Sequence, residues 1–264
     1  MLEVLLDGHP LPLHSKQFAG GEEHIMLTPT NAAPSRIEIN ALIQSSSELM
    51  QLLLINDALK RQFLNHPIAL HLPYIPYARQ DRVCNAGESF SLQVFAQLIN
   101  QCGFSTVTVD DPHSDVAPAL LERCVTRPQQ ELLVLHSHNN DEFQAFVQQA
   151  QLVSPDAGSN KKMLAVCQAL GKDSFIRADK IRDVATGRIS ETIVYSDVLS
   201  GKVLIVDDIC DGGRTFIALA QALKAKGAAS VGLYVTHGIF SYGKEPLIQA
   251  GIDAVFSFYD WTKQ

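Results

Sequence analysis

Short apolar runs rich in β-branched residues alternate along this chain with segments of helical period, the pattern of βαβ units around a mainly parallel sheet. Ile68–Leu72 reads as a strand, residues 90–99 as a helix with Leu92, Phe95, Leu98 and Ile99 on one face, and residues 106–109 as the next strand. The scheme repeats in the second half, with strands expected at 151–153, 175–177, 203–206, 230–235 and 254–258 and helices at 162–170 and 215–226. In the last of these helices Phe216, Leu219, Ala222 and Leu223 face inward and Gly227 is placed to cap the C-terminus. The polar stretch 126–131, with Pro128 and two glutamines, divides the chain into halves expected at 1–128 and 129–264. The expected fold class is α/β, with two similar domains that each hold a mainly parallel sheet flanked by helices.

Composition narrows the function classes. A hydrophobic fraction of 46% with 19% charged residues over 264 positions is that of a well-packed globular protein. The net charge of −7 offers no global attraction to nucleic acid or an anionic membrane, so neither is expected as a partner and any anionic ligand must be held locally. No apolar run approaches the length of a membrane span, and residues 1–16 carry Glu3, Asp7 and two prolines in place of a secretory leader's basic start and apolar core. A cytoplasmic location is expected. The five cysteines are scattered without a CxxC pair and read as reduced thiols, with Cys210 as buried filler. His136 and His138 form an isolated HSH and read as solvated loop residues.

The chemistry concentrates in Val203-Leu-Ile-Val-Asp-Asp-Ile-Cys-Asp-Gly-Gly-Arg-Thr215. Four apolar residues fit a strand buried on both faces, which puts Asp207 and Asp208 at its C-terminal end, where open α/β sheets bind ligands. Two carboxylates there can accept hydrogen bonds from sugar hydroxyls or face Mg²⁺. Gly212 and Gly213 allow successive backbone N–H groups to close around a phosphate at the positive end of the following helix, with Asp211, Arg214 and Thr215 beside it. The spacing is neither that of a Walker P-loop nor the GxGxxG of dinucleotide binders. It resembles the phosphoribosyl-pyrophosphate motif of type I phosphoribosyltransferases.

A second segment separates the branches of that superfamily. Pro73-Tyr-Ile-Pro-Tyr-Ala-Arg-Gln-Asp-Arg82 resembles the ATP-binding segment of ribose-phosphate pyrophosphokinases, in which Arg79 and Arg82 can reach phosphates or stack on adenine and Gln80 can read a purine edge. Further matches follow in order. Residues 18–22 resemble the loop the family presents to a neighbouring subunit's adenine, which gives Phe18 and Glu22, with Gly20 where the family has an acidic residue. Asp111-Pro-His113 matches the position of the family's metal-binding histidine, and Ser154-Pro-Asp-Ala-Gly158 matches the pyrophosphate loop, with Asp156 as its metal-associated residue. Asp179-Lys-Ile-Arg182 aligns with the mobile catalytic loop and gives Lys180 and Arg182; His237, in Thr236-His-Gly-Ile-Phe-Ser241, is given a structural role.

The resemblance implies two phosphoribosyltransferase-like domains and a Mg²⁺-assisted transfer of pyrophosphate from ATP, the co-substrate, to the 1-hydroxyl of ribose 5-phosphate. Asp207 and Asp208 would hold the ribose hydroxyls, Asp211 to Thr215 its phosphate, Mg²⁺ near His113 and Asp156 the β- and γ-phosphates, and Lys180 and Arg182 the reacting phosphorus. Within the phosphate turn Gly212 and Arg214 depart from the family's usual residues, so ribose 5-phosphate affinity is expected to differ from the norm. The chain is a short form that stops early against the usual family length, so hexameric assembly and allostery are not carried over, while the shared adenine loop implies at least a dimer. A phosphoribosyltransferase that consumes phosphoribosyl pyrophosphate, a non-catalytic synthase-associated regulator and an RNA-binding regulator on the same fold are the competing readings.

Overall fold

The computed structural model describes residues 2–182 and 189–263, with side chains placed for all of these except 181, 182 and 189–191. The chain divides into two compact units, Met1–Arg127 and Pro128–Gln264. No helix among the described residues is long and apolar enough to cross a membrane.

The first unit comprises β1 (Leu2–Leu6), β2 (His9–Pro10), β3 (Leu13–Gln17), β4 (Glu23–Leu27), β5 (Ile37–Ala41), α1 (Ser46–Gln62), β6 (Ile68–Leu72), α2 (Ser91–Gln101), β7 (Thr106–Asp110), α3 (Val116–Leu120) and β8 (Cys124–Arg127). Its sheet has the order β2-β1-β5-β6-β7-β8, parallel from β5 to β8 and antiparallel at the β1 edge. Alternation is strict in β5 and β6: Ile37, Ile39, Ile68, Leu70 and Leu72 are buried, while Glu38, Asn40, Ala69 and His71 line a half-exposed face. Helix α1 starts in a reciprocal cap, in which Ser45 accepts from the Glu48 N–H and the Glu48 carboxylate accepts from the Ser45 N–H. Helix α2 buries Leu92, Phe95, Ala96 and Ile99. Leu98, expected on that face, is only half buried because Ala96 lies closer to the centre of the stripe.

The second unit comprises α4 (Gln129–His138), α5 (Asp141–Gln149), β9 (Gln151–Ser154), α6 (Asn160–Ala169), β10 (Phe175–Arg182), β11 (Ile189–Val194), β12 (Lys202–Cys210), α7 (Arg214–Ala225), β13 (Ser230–Gly238), α8 (Glu245–Gln249) and β14 (Ala254–Asp260). Its sheet order is β11-β10-β9-β12-β13-β14, parallel except for the β10–β11 pair. Two apolar layers sandwich it: Val203, Ile205, Leu233 and Val235 pack on α7, and Leu204, Val206 and Tyr234 pack on α4, α5 and α6. Residues 203–206 are each at most 1% exposed, as a strand covered on both faces requires. The strand runs four residues beyond its expected end, because β13 continues pairing it through Ile209–His237 and Cys210–Gly238.

His136 and His138 are not loop residues. Both close α4, and the His136 ring packs against Phe143, Tyr234 and Phe258, where burial lowers its pKa.

Candidate functional site

Strand β12 carries the acidic pair into the second unit's site. Asp208 is buried and Asp207 is partly exposed; the Asp207 carboxylate accepts from the Asp208 N–H at 3.0 Å and from the Ser159 hydroxyl at 3.2 Å. The same hydroxyl lies 3.2 Å from Asp156, so Ser159 bridges two carboxylates, one after β9 and one on β12. Lys180, on β10, pairs with Asp156 at 2.7 Å, and Lys162, in the first turns of α6, reaches Asp208 at 3.4 Å. Three carboxylates thus converge with two ammonium groups.

The charges split the pKa values. Burial, then the neighbouring charges of Asp208 and Asp156, hold the Asp207 carboxyl well above the ordinary carboxylate range. Burial pushes Asp156 upward too, but the Lys180 ammonium and the Ser159 contacts outweigh it and hold that group below its ordinary value. Burial, reinforced by Asp207 and Asp211, pushes the Cys210 thiol up to about 12, which suits an inert buried filler.

The phosphate turn follows directly. Gly213 has φ +72°, a left-handed conformation at the start of α7, and its carbonyl accepts from the N–H groups of Phe216 and Ile217, both at 3.0 Å. A left-handed residue at the mouth of a helix turns successive N–H groups toward one side, the geometry of an anion-binding nest. Asp211 accepts from the Ser241 hydroxyl, and the Ile239 and Phe240 N–H groups donate to the Cys210 carbonyl, which ties the loop after β13 to the turn. Arg214 is exposed and Thr215 half buried. The His237 ring is buried and stacks on Tyr259 at 5.7 Å, a packing arrangement.

In the first unit, residues 73–82 leave β6 as a tight loop whose Tyr74, Ile75, Ala78 and Asp81 are buried and whose Arg79, Gln80 and Arg82 face solvent. Tyr77 takes φ +65°, which is costly for a bulky residue and marks a loop shaped by its surroundings. Arg82 donates to Asp81 at 2.9 Å; that hydrogen bond overcomes burial and lowers the Asp81 pKa, with the Ser114 hydroxyl and the charges of Arg82 and His113 adding to it. Asp81 therefore joins the arginine segment to the His113 turn, where Asp111 has φ +41° and His113 is exposed. Phe18 and Glu22 bracket the β3–β4 turn, where the Phe18 N–H donates to the Glu22 carbonyl at 2.9 Å and the Phe18 ring is 45% exposed. Glu23 roots that hairpin on α1 by accepting from Ser47 and Gln51.

The structure brings Asp156, Lys180, Asp207 and Asp208 together in the second unit; in the first, Asp81 pairs with Arg82 and feels the charge of His113. The Arg182 side chain lies outside the described residues. Ser159 and Lys162 went unread in the sequence, although their i, i+3 spacing directly after the Ser154 to Gly158 loop places them on one side of a helix start. A cleft of about 310 Å³ in the first unit, lined by Arg36, Glu38, His71, Thr106 and Thr108 among others, contains none of the expected nucleotide ligands.

Comparison with known proteins fixes the family. Residues 6–103 match the N-terminal domain of ribose phosphate pyrophosphokinase, and residues 152–261 match the phosphoribosyl transferase domain. A ribose-phosphate pyrophosphokinase from Campylobacter jejuni is 31% identical over 240 residues, which cover 90% of this chain and 75% of that protein. This chain belongs to the ribose-phosphate pyrophosphokinase family. A family member from Cereibacter sphaeroides is 32% identical over 201 residues, covering 75% of this chain and 57% of its relative, so the chain spans little more than half of that protein. The phosphoribosylpyrophosphate synthetase structure from Mycobacterium smegmatis superposes with a TM-score of 0.77 at 24% identity over 96% of this chain and 81% of the other, and shows the shared fold.

The donor set in the second unit suits a hard divalent cation: Asp156 and Asp207 offer carboxylate oxygens with a hydroxyl between them. Among the described residues no three His, Cys, Asp or Glu side chains form a ready-made metal cage.

Proposed function

We propose that this chain is a ribose-phosphate diphosphokinase, which transfers the pyrophosphate of ATP to the 1-hydroxyl of ribose 5-phosphate and releases AMP and phosphoribosyl pyrophosphate. The observation that carries the reading is the β12–α7 junction, where an acidic pair and a left-handed glycine turn adjoin a lysine held at Asp156. Asp207 and Asp208 accept hydrogen bonds from the ribose hydroxyls, which orients the anomeric oxygen. The backbone of residues 211–215 holds the 5-phosphate, with Asp211, Gly212, Gly213, Arg214 and Thr215 shaping the cradle. Arg79, Gln80 and Arg82 bind ATP in the first unit, and Phe18 and Glu22 complete the adenine site of a neighbouring subunit, which makes the working species at least a dimer. Mg²⁺, when bound, would supply positive charge against the β- and γ-phosphates; Asp156 in the second unit and His113 in the first are each candidate ligands for it. Lys180 and Arg182 offset charge developing on the reacting phosphorus.

The test is direct. Purified protein, ATP, Mg²⁺ and ribose 5-phosphate should yield AMP only when all are present. Formation of a nucleotide from phosphoribosyl pyrophosphate and a free base, without AMP release in the first assay, would replace this reading with that of a phosphoribosyltransferase. Sedimentation of an active monomer would remove the shared adenine site.

A further inference from the structure

On the half-exposed face of the first unit's sheet, five polar side chains form a row from β1 to β8: Glu3 on β1, Asn40 on β5, His71 on β6, Asp110 on β7 and Arg127 on β8. The strand registers pair Glu3 with Asn40, Asn40 with His71 and Asp110 with Arg127. The Asp110 carboxylate has no exposed surface, so a countercharge must meet it. Arg127 supplies one, donating Nε to Oδ1 at 2.6 Å and Nη2 to Oδ2.

The chemistry of the row sets its direction. A carboxylate only accepts, so Glu3 fixes the Asn40 amide with Nδ2 toward Glu3 at 3.2 Å. Asn40 Oδ1 then faces His71 Nδ1 at 3.3 Å, and that ring nitrogen must carry the proton. Nε2 lies 3.0 Å from Arg127 Nη2 and 2.9 Å from the Asp110 carboxylate that the same guanidinium neutralises, so the ring closes the row against the buried acid. Asp110 and Arg127 also lie where three chain segments meet: the Asp110 N–H donates to the Pro73 carbonyl at 3.3 Å and the Asp111 N–H to the Arg127 carbonyl at 2.8 Å. Pro73 opens the arginine segment and Asp111 opens the His113 turn.

We propose that His71, Asp110 and Arg127 are positioning residues for the nucleotide half of the site. By holding the ends of β6, β7 and β8 to one buried carboxylate, they fix where residues 73–82 and 111–113 begin. The Nδ1–H of His71 is set from β1 through Asn40. The inference rests on the nucleotide reading given above.

The test uses the full chain with His71→Val, which removes both ring contacts, and His71→Gln, which restores a hydrogen-bonding group near the Nε2 position. His71→Val should raise the KM for ATP roughly tenfold, the scale of loss that a sub-ångström displacement of binding groups produces, and leave the KM for ribose 5-phosphate within about twofold. His71→Gln should recover most of that loss. Nitrogen-15 spectra of the wild type should show His71 protonated at Nδ1, and Glu3→Gln, which frees the Asn40 amide to turn, should lower the protonation of that nitrogen. A lowered melting temperature with unchanged KM for ATP, an equal rise in both KM values, or a wild-type Nδ1 that carries no proton would overturn the proposal. Calorimetric titration with ATP alone separates this inference from the proposed reaction. If the wild type binds ATP but releases no AMP, the reaction is refuted, and an unchanged Kd in His71→Val would still sink the positioning role while a roughly tenfold weaker one would support it. If the wild type binds no ATP, both readings fall.

Discussion

Replacing Gly213 by alanine tests the phosphate turn by its backbone alone. At φ +72° an L-residue costs about 1–2 kcal/mol relative to its right-handed conformation. A Cβ there would stand 2.8 Å from Leu247 Cδ2 and 3.4 Å from its Cγ, and Leu247 is only 2% exposed, so it has no solvent to swing into. Overpacking of that kind adds about 1–3 kcal/mol, while the stiffer unfolded chain returns about 0.4–1 kcal/mol. The net expectation is destabilisation by roughly 2–4 kcal/mol, together with a weaker ribose 5-phosphate site because the N–H groups of residues 213–215 rotate off the ligand. The neighbouring Gly212→Ala is the control: its Cβ would meet Tyr242 Cε2 at 3.3 Å, but that ring is 70% exposed and can move, so the change should stay within about 0.5 kcal/mol. Urea unfolding of both variants, read with the KM for ribose 5-phosphate, makes the comparison. Equal stabilities and equal KM values in the two variants would refute the role given to the left-handed turn.

Changing both Lys180 and Arg182 to alanine should lower turnover by at least about 10²-fold, the usual loss when oriented charge stabilisation is removed, with ribose 5-phosphate affinity largely kept; single-turnover AMP release measures it. Asp207→Asn should melt higher than the wild type near neutral pH and bind ribose 5-phosphate poorly, as differential scanning calorimetry and substrate titration would show. The sign follows from burial and the nearby Asp208 and Asp156 charges, which raise the folded pKa. The folded state then keeps its proton to higher pH than the unfolded chain, so stability is greatest below the unfolded pKa and falls as pH rises through the folded one. The variant should lack that slope. Asp156, whose folded pKa is lowered, works oppositely: its stabilisation is present above the unfolded pKa and is lost as pH falls through the folded value, so Lys180→Ala should flatten the acid limb of the stability curve. Ser159→Ala removes the hydroxyl between two carboxylates and should weaken Mg²⁺ dependence by about 1 kcal/mol, or roughly fivefold in the apparent metal constant.

Much of this architecture is legible in the chain because each signal is local. Ile68–Leu72 is a strand with the bounds its pattern gives, and α7 and β13 start within a residue of expectation, since apolar period and glycine punctuation mark those ends directly. The far end of β12 is not legible. Asp207 and Asp208 end the apolar run, and only the partner strand's length, a tertiary fact, carries the ladder to Cys210. The place of His136 is illegible for the converse reason: a polar HSH tract hides an i, i+3 relation to Leu133 that buries one ring among aromatics contributed by α5, β13 and β14. Motif matching likewise finds Asp156 and Lys180 but not their ion pair, because that contact joins β10 to the loop after β9, and the adjacency of those two strands is decided by sheet order.

The second unit's site is costly to the folded protein for a reason that bears on its use. The Asp207 carboxylate accepts from the Ser159 hydroxyl and the Asp208 N–H where two other carboxylates press on it, and Lys180 and Lys162 pair with those two. A core built for stability would remove one acid, since a buried ion cluster seldom repays its desolvation. A ligand with hydroxyl donors, or a divalent cation, supplies further partners and recovers part of that loss on binding, so the same groups that depress the stability of the free protein should make it rise steeply with ligand. At a concentration one hundred times Kd, ribose 5-phosphate should add about 2.7 kcal/mol to unfolding. In Asp207→Asn the increment should shrink while the free protein gains, and the two changes should have opposite signs if one carboxylate is the source of both.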